Sequence, residues 1–343
     1  MYQINFDSPV HVHFIGIGGI SMSGLAEVLL QEGFTISGSD SQRSELTRHL
    51  EEKGATVFYG QTADNIKLGI DVVVYTAAIH PDNAEFAAAR SAGIPMLTRA
   101  ELLGEIMRNY KTAIAVAGTH GKTTTTSMIS MILLEAQADP TISVGGILPE
   151  IGGNIRVGRS DLFLTEACEY TNSFLSFFPT VDVILNIEED HLDFFKDLAD
   201  IRHSFHRFAE LLPAHGLLVM KGDIKNIDEI TNGVDADLVT YKVSGEADYT
   251  ASDITYDRQG CASFTLVHKG TPVGPVELLV PGIHNVSNAL AALATTMELG
   301  FDFKTASEGL AMFHGTDRRF QYKGEVNGVT IIDDYAHHPS EIR

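Results

Sequence analysis

Between an apolar run, Thr112 to Ala117, and a helical pattern from about Lys122 to Ala136 stands the octapeptide Ala117-Gly118-Thr119-His120-Gly121-Lys122-Thr123-Thr124. A strand that turns through glycines directly into a helix aims the helix's first backbone N–H groups at one point, and such a point binds phosphate. Gly118 and Gly121 permit the tight turn, Lys122 reaches outer phosphates, and Thr123 offers a hydroxyl to Mg²⁺. The usual spacing puts a glycine five residues before the second one. Val116 stands there, so the loop is a shortened variant. Gly-Lys-Thr alone arises by chance, whereas strand–GTHGKTTT–helix rarely does. A nucleoside triphosphate site is expected, against the alternative of a purely structural turn.

The same rhythm recurs along the chain. Val10 to Ile15, Phe34 to Gly38, Val72 to Thr76 and Ile94 to Leu97 read as strands, with a helix around Leu25 to Gln31 closed by Gly33. Strand and helix in alternation predict an α/β fold with a parallel sheet. From about residue 110 a second unit opens, with strands at Leu162 to Thr165, Val181 to Ile187 and Leu217 to Met220. Tyr249 to Val280 turns strand-rich, and helices return at Val286 to Leu299 and Lys304 to Phe313. After Gly315 a third unit is expected to start, with Gly328 to Asp333 as a strand. One strand with a loop cannot bury a core, so only the beginning of that unit is expected here.

Gly16-Ile17-Gly18-Gly19-Ile20-Ser21 follows the first strand and Asp40 closes the second. This nearly matches a dinucleotide fingerprint, but Ser21 replaces the third glycine. NAD, another diphosphate and a ligand-free turn all remain open on this loop alone. The separate triphosphate loop downstream favours a nucleotide-linked substrate over NAD.

Carboxylates cluster at two strand ends, in Thr165-Glu166-Ala167-Cys168-Glu169-Tyr170 and in Asn186-Ile187-Glu188-Glu189-Asp190-His191. Ends of parallel strands gather on one edge, where the phosphate loop also lies. Glu166 is expected to complete a Mg²⁺ site with Thr123, since Mg²⁺ prefers oxygen ligands. His191 reads either as a ligand to a second cation or as a hydrogen-bonded structural histidine. In Pro281-Gly282-Ile283-His284-Asn285-Val286-Ser287-Asn288-Ala289, Asn285 reads either as a helix cap or as an amide facing a purine edge.

Composition sets the outer bounds. The 343 residues are 44% hydrophobic, enough for two or three cores, and the formal net charge of −21 argues against nucleic acid as a partner. Cys168 and Cys261 cannot form a disulfide framework, no apolar run approaches the roughly 20 residues of a membrane span, and the first residues lack a secretory pattern. A cytoplasmic protein without a membrane partner is expected.

Taken in order, GTHGKTTT, TEACEY, NIEEDH, PGIHNVSNA, Arg318-Arg319-Phe320 and Asp333-Asp334-Tyr335-Ala336-His337-His338-Pro339 resemble the Mur ligases of bacterial cell-wall synthesis. His13 to Gly24 and Ser37 to Asp40 resemble the amino-terminal part of that family, so the likeness runs along essentially the whole chain. It implies a Rossmann-like UDP-substrate domain over residues 1–108 and a central P-loop-type ATP-binding α/β domain over 109–317. Residues 318–343 would begin a third Rossmann-like domain. Gly16, Gly18, Gly19, Ser21, Asp40 and Thr76 would line the UDP site. Gly118, Thr119, His120, Gly121, Lys122, Thr123, Thr124, Asn285, Asn288, Arg319 and Asp334 would hold ATP. Thr123, Glu166 and His191 would contact metal, and Lys122, Glu166, His191 and Arg319 would carry catalysis.

The activity implied is ligation of L-alanine to the carboxylate of UDP-N-acetylmuramic acid, with ATP and Mg²⁺ as cofactors and an acyl phosphate between. A sister ligase that attaches a ready-made peptide is the nearest alternative. An NAD-dependent oxidoreductase would leave the Gly-Lys-Thr loop unexplained, and a nucleotide-sugar binding module would lack turnover. Several relatives carry a modified lysine about fifteen residues past the metal histidine, where His206 stands here, so no such lysine is expected. With so little of a third unit, binding of the UDP-substrate with poor ligation is expected.

Overall fold

The computed structural model describes residues 2–316, 321–326 and 328–336. The Arg318-Arg319-Phe320 turn and the His337-His338-Pro339 segment lie outside the described residues. The chain divides into two compact units, one of residues 1–111 with Ser176–Phe178, the other of Thr112–Leu175 with the chain from Pro179 onward.

The first unit alternates β1 (His11–Ile15), α1 (Ile20–Gln31), β2 (Thr35–Asp40), α2 (Glu45–Glu52), β3 (Thr56–Tyr59), β4 (Val72–Tyr75), α3 (Ala84–Ser91), β5 (Met96–Thr98) and α4 (Arg99–Met107). Its five strands pair in parallel in the order β3-β2-β1-β4-β5. The order reverses at β1, so the loop after β1 opens at a switch point, where such sheets bind ligands. Val12, Phe14 and Val72 to Val74 are buried, as parallel strands covered on both faces require. Beneath the first loop, buried His13 pairs with Glu85 at 2.9 Å, and Glu85 also accepts from Ser39, tying α3 to β1 and β2.

The second unit is built on a ten-stranded sheet. Its elements are β6 (Thr112–Ala117), α5 (Lys122–Glu135), β7 (Thr141–Leu148), β8 (Gly153–Arg156), β9 (Leu162–Ala167), β10 (Val181–Ile184), α6 (Leu198–Ala209), β11 (Gly216–Lys221), α7 (Asp228–Thr231) and β12 (Ala236–Lys242). Then come β13 (Tyr249–Tyr256), β14 (Cys261–His268), β15 (Thr271–Pro281), α8 (Ile283–Glu298) and α9 (Phe303–Leu310). The strand order is β15-β14-β13-β12-β11-β10-β6-β9-β7-β8. The pairs from β7 through β9, β6, β10, β11 and β12 to β13 are parallel, and β8, β14 and β15 join antiparallel. A hairpin of β16 (Gln321–Val326) and β17 (Val329–Asp333) follows.

Register explains where the chemistry collects. Ala117, the last residue of β6, lies beside Ala167 of β9 and Ile184 of β10. The three loops that follow therefore leave the sheet on one edge. One face of the sheet carries a core of Ile114, Val116, Leu164 and Val183 packed with Met128, Ile132 and Leu290 of α5 and α8. On that side Gly309 of α9 is pressed to α5, because an added Cβ would stand 2.7 Å from the Cα of Ile132. Backbone cannot yield as a side chain end can, so Gly309→Ala is expected to destabilise the second unit by about 1–3 kcal/mol. Urea denaturation checks this, and an unchanged midpoint would contradict the packing argument.

Candidate functional site

β6 ends in Ala117, and the chain turns at Gly118 (φ 145°) and Gly121 (φ 83°) before α5 begins at Lys122. Both φ values lie where side chains are rarely tolerated, so glycine is the residue the turn requires. A Cβ on Gly121 would also meet Oδ1 of Asn288 at 2.8 Å. Asn288 on α8 thus abuts the loop, and it donates to Oδ1 of Asn285 at 3.1 Å. Asn285 does not cap α8. The cap position is Gly282, and the Asn285 amide in the first turn donates to the carbonyl of Pro281 at 2.8 Å.

The loop's shape is enforced from β10. Asn186 accepts from the His120 N–H at 2.8 Å and donates to the His120 carbonyl at 2.9 Å, and its own carbonyl accepts from the Thr119 N–H at 3.3 Å. The Thr119 hydroxyl accepts from the Glu188 N–H at 2.9 Å. His120 Nε2 lies 3.6 Å from Glu188. Thr124 is half-buried in the first turn of α5. The Asn186→Ala variant leaves both backbone groups of His120 without their partner, which costs about 1–3 kcal/mol. It is expected to weaken ADP binding about tenfold, since loss of about 1.4 kcal/mol of loop order is a factor of ten. Calorimetry against wild type reads this directly, and equal affinities would refute it.

Lys122 and Thr123 each face a carboxylate. Nζ of Lys122 donates to the carbonyls of Gly118 (2.5 Å) and Thr119 (3.2 Å) and to Glu169 at 3.0 and 3.3 Å. Thr123 donates through Oγ1 to Glu166 at 3.2 Å, and the other Glu166 oxygen accepts from the Gly145 N–H at 2.5 Å. Mg²⁺ uses one or two carboxylates, other oxygens and retained waters. The hydroxyl of Thr123 and the carboxylate of Glu166 are donors of that kind, so these residues fit the ion. Among the described residues no three His, Cys, Asp or Glu side chains gather as a metal cage. His191 lies 3.9 Å from Glu169 and 3.8 Å from Asp190, with φ 53° and its ring 4.6 Å from the ring of Tyr170.

The structure therefore brings Gly118 to Thr124, Glu166, His191, Asn285 and Asn288 to one edge of the second unit. Asp334 follows β17, where its carboxylate accepts from the Ala336 N–H at 2.7 Å, and Arg319 lies outside the described residues. Three residues were not singled out from sequence: Glu169, Asn186 and Gly145. Asn186 carried a weak signal as a polar residue that interrupts the apolar run Val181 to Ile187. Glu169 carried none that set it apart from Glu166.

In the first unit, the N–H groups of Gly16 and Ile17 donate to the carbonyl of Ser39 at 2.8 and 2.9 Å, and Gly19 donates to Gly16 at 3.3 Å. Asp40 accepts from the Gly18 N–H at 2.8 Å, and a Cβ on Gly18 would meet Asp40 and Thr47, each at 2.8 Å. Ser21 accepts from Arg99 at 3.1 Å, and Thr76 flanks Gly16. All six expected substrate residues thus belong to this loop or its immediate neighbours. Asp40, the acid that a dinucleotide site turns to a ribose, here holds the loop's own backbone.

Two family models match the chain: "Mur ligase family, catalytic domain" over residues 11–111 and "Mur ligase middle domain" over residues 116–296. A UDP-N-acetylmuramate–L-alanine ligase of Agathobacter rectalis is 64% identical over 343 residues, all of this chain and 75% of that protein. The ligase of the same description from Lachnospira eligens is 59% identical, again over all of this chain and 75% of its own length. Among solved structures, the UDP-N-acetylmuramate-alanine ligase of Thermotoga maritima superposes with a TM-score of 0.79 at 31% identity, covering 97% of this chain and 76% of that one. A murein peptide ligase of Psychrobacter arcticus superposes with a TM-score of 0.81 at 28% identity, over 97% of this chain and 74% of its own. The phosphate loop and the Gly-rich loop fall within the two matched regions, in the family's order, and with a relative aligned along the entire sequence the chain belongs to the Mur ligase family.

Proposed function

We infer that the chain catalyses ATP-dependent ligation of L-alanine to the carboxylate of UDP-N-acetylmuramic acid, a step of peptidoglycan precursor synthesis. The observation that carries this is 64% identity along the whole chain to a ligase of that description. The site agrees with it, because a phosphate loop with Lys122 and Thr123 against two carboxylates suits phosphoryl transfer. No helix among the described residues is long and apolar enough to cross a membrane. A cytoplasmic location fits a chain with only two cysteines.

The lactyl carboxylate oxygen attacks the γ-phosphorus of ATP, and the bond to the β–γ bridging oxygen breaks to release ADP. The alanine amine then attacks the acyl carbon, phosphate leaves with the bonding pair, and the amine loses its proton. Little covalent work falls to the protein in such a transfer, so positioning and charge carry it. Backbone N–H groups of the loop and of the first turn of α5 orient the phosphates. Lys122 neutralises charge on the transferring group. Thr123 and Glu166 would hold Mg²⁺, which would supply charge neutralisation for the transferring phosphate. Asn285 and Asn288 would line the adenine side, with Arg319 and Asp334 closing on ATP. His191 serves the metal site or orients a substrate group. In the first unit, Gly16, Gly18, Gly19, Ser21, Asp40 and Thr76 would receive the UDP moiety.

The test is ADP release measured with UDP-N-acetylmuramic acid, with and without L-alanine. Release that needs both supports the reading. Release driven by a preformed peptide but not by L-alanine would move the chain to the sister activity, and binding of NAD in place of the UDP-sugar would overturn the ligase reading.

A further inference from the structure

Glu169 is 2% exposed, and its carboxylate accepts from Lys122 at 3.0 and 3.3 Å. An ammonium has three protons. Those of Lys122 are taken by the Gly118 carbonyl, the Thr119 carbonyl and Glu169. A triphosphate seated in the loop requires one of them. The two carbonyls belong to the loop and move only with it, whereas Glu169 stands on the separate segment after β9. Of the three partners it alone carries charge, and that charge repels phosphate.

On the other side of Glu169, Nε2 of His191 is 3.9 Å away. The His191 ring is held against Tyr170, whose hydroxyl donates to Asp193 at 2.8 Å. The His191 ring thus stands beside the carboxylate, beyond hydrogen-bond distance, on the side away from Lys122.

We propose that Glu169 is a positioning residue that gates the nucleotide site by holding Lys122 and releasing it to the phosphate oxygens as nucleotide binds. The inference rests on reading the loop as the ATP site. Binding then exchanges a buried carboxylate for a phosphate on the same ammonium, and the enclosed carboxylate works against nucleotide affinity. A divalent cation held by Thr123 and Glu166 would offset that opposition. Nucleotide binding by wild type is accordingly strongly cation-dependent, and the dependence resides partly in Glu169.

The experiment is calorimetric titration of wild type, Glu169→Gln and Glu169→Asp with ADP, in EDTA and again in Mg²⁺, with kcat and KM for ATP measured alongside. Glu169→Gln is expected to bind ADP in EDTA about tenfold tighter than wild type, the worth of about one charge-assisted hydrogen bond. The gain shrinks when Mg²⁺ is present, and KM for ATP falls without a rise in kcat. Glu169→Asp retracts the charge by one methylene and shows a smaller gain of the same sign. A merely structural role predicts the reverse, weaker binding with a lower melting temperature. Unchanged or weaker binding by Glu169→Gln in EDTA overturns the proposal, and the same result from Glu169→Asp does so if the glutamine variant does not fold. Absence of ADP binding by wild type in Mg²⁺ overturns the nucleotide-site reading itself, and the gating with it.

Discussion

Replacing Lys122 with methionine is expected to lower the rate of L-alanine-dependent ADP release by about a thousandfold, the loss that follows removal of one preorganised charge from a transition state. The side chain has no substitute in the loop, because no other lysine or arginine stands between Ala117 and Thr124. The same change has a second, separable effect. Glu169 loses its counter-ion while staying 2% exposed, and a buried charge stripped of its partner costs about 3–5 kcal/mol. The single variant should therefore both melt early and turn over slowly. Adding Glu169→Gln to Lys122→Met removes the stranded charge, so the double variant is expected to regain most of the stability and none of the turnover. Affinity for UDP-N-acetylmuramic acid, which this reading assigns to the first loop, should stay near wild type in both. Thermal melts, calorimetry with the UDP-sugar and steady-state ADP release check the three parts. Turnover within tenfold of wild type in the double variant would show that Lys122 does not carry the transfer.

Much of this arrangement is legible in the amino-acid sequence. The run Thr112 to Ala117 is β6 to the residue, and the helix expected from Lys122 begins there, since the glycine turn leaves no other place for the change of period. The strand expected over Val181 to Ile187 stops at Ile184 instead. Leu185 and Ile187 are buried, so apolar content continued the pattern, but Asn186 turns its amide to the phosphate loop and ends the ladder. Other elements went unread for physical reasons. β3 is a four-residue edge strand, and β7 runs through Gly145 and Gly146, which mute the alternation. α6 did carry a signal, because Ile201, Phe205, Phe208 and Ala209 keep helical spacing behind an Asp197 cap. Within the site, side-chain type indicated the Thr123–Glu166 pairing, since hydroxyl and carboxylate suit one cation. The Lys122–Glu169 pair was illegible, because it depends on how the chain leaves β9, where the period of two no longer applies.

Asp182, in the middle of β10, gives the clearest pH dependence in the protein, and Asp182→Asn is expected to stabilise the second unit by an amount that grows with pH. The residue is fully buried beside Ala115 of β6 and Leu218 of β11, and neither carboxyl oxygen has a hydrogen-bond partner among the described residues. Burial pushes its pKa well above the ordinary carboxylate range. The folded state therefore binds this proton more tightly than the unfolded chain does. The sign follows from linkage: stability associated with this group is fully present below the unfolded carboxylate pKa and is lost as pH rises toward the folded value. Each pH unit in that window costs about 1.4 kcal/mol. Asparagine keeps the size and two polar atoms of the acid but has no charge to suppress, so it escapes the loss. At pH 7 the variant should be the more stable of the two, and near pH 4 the two proteins should melt together. Urea denaturation from pH 4 to 8 measures the gap. A gap that is constant across that range would mean that Asp182 keeps an ordinary pKa in the fold, and a gap that narrows as pH rises would mean that its ionised form is the one the sheet prefers.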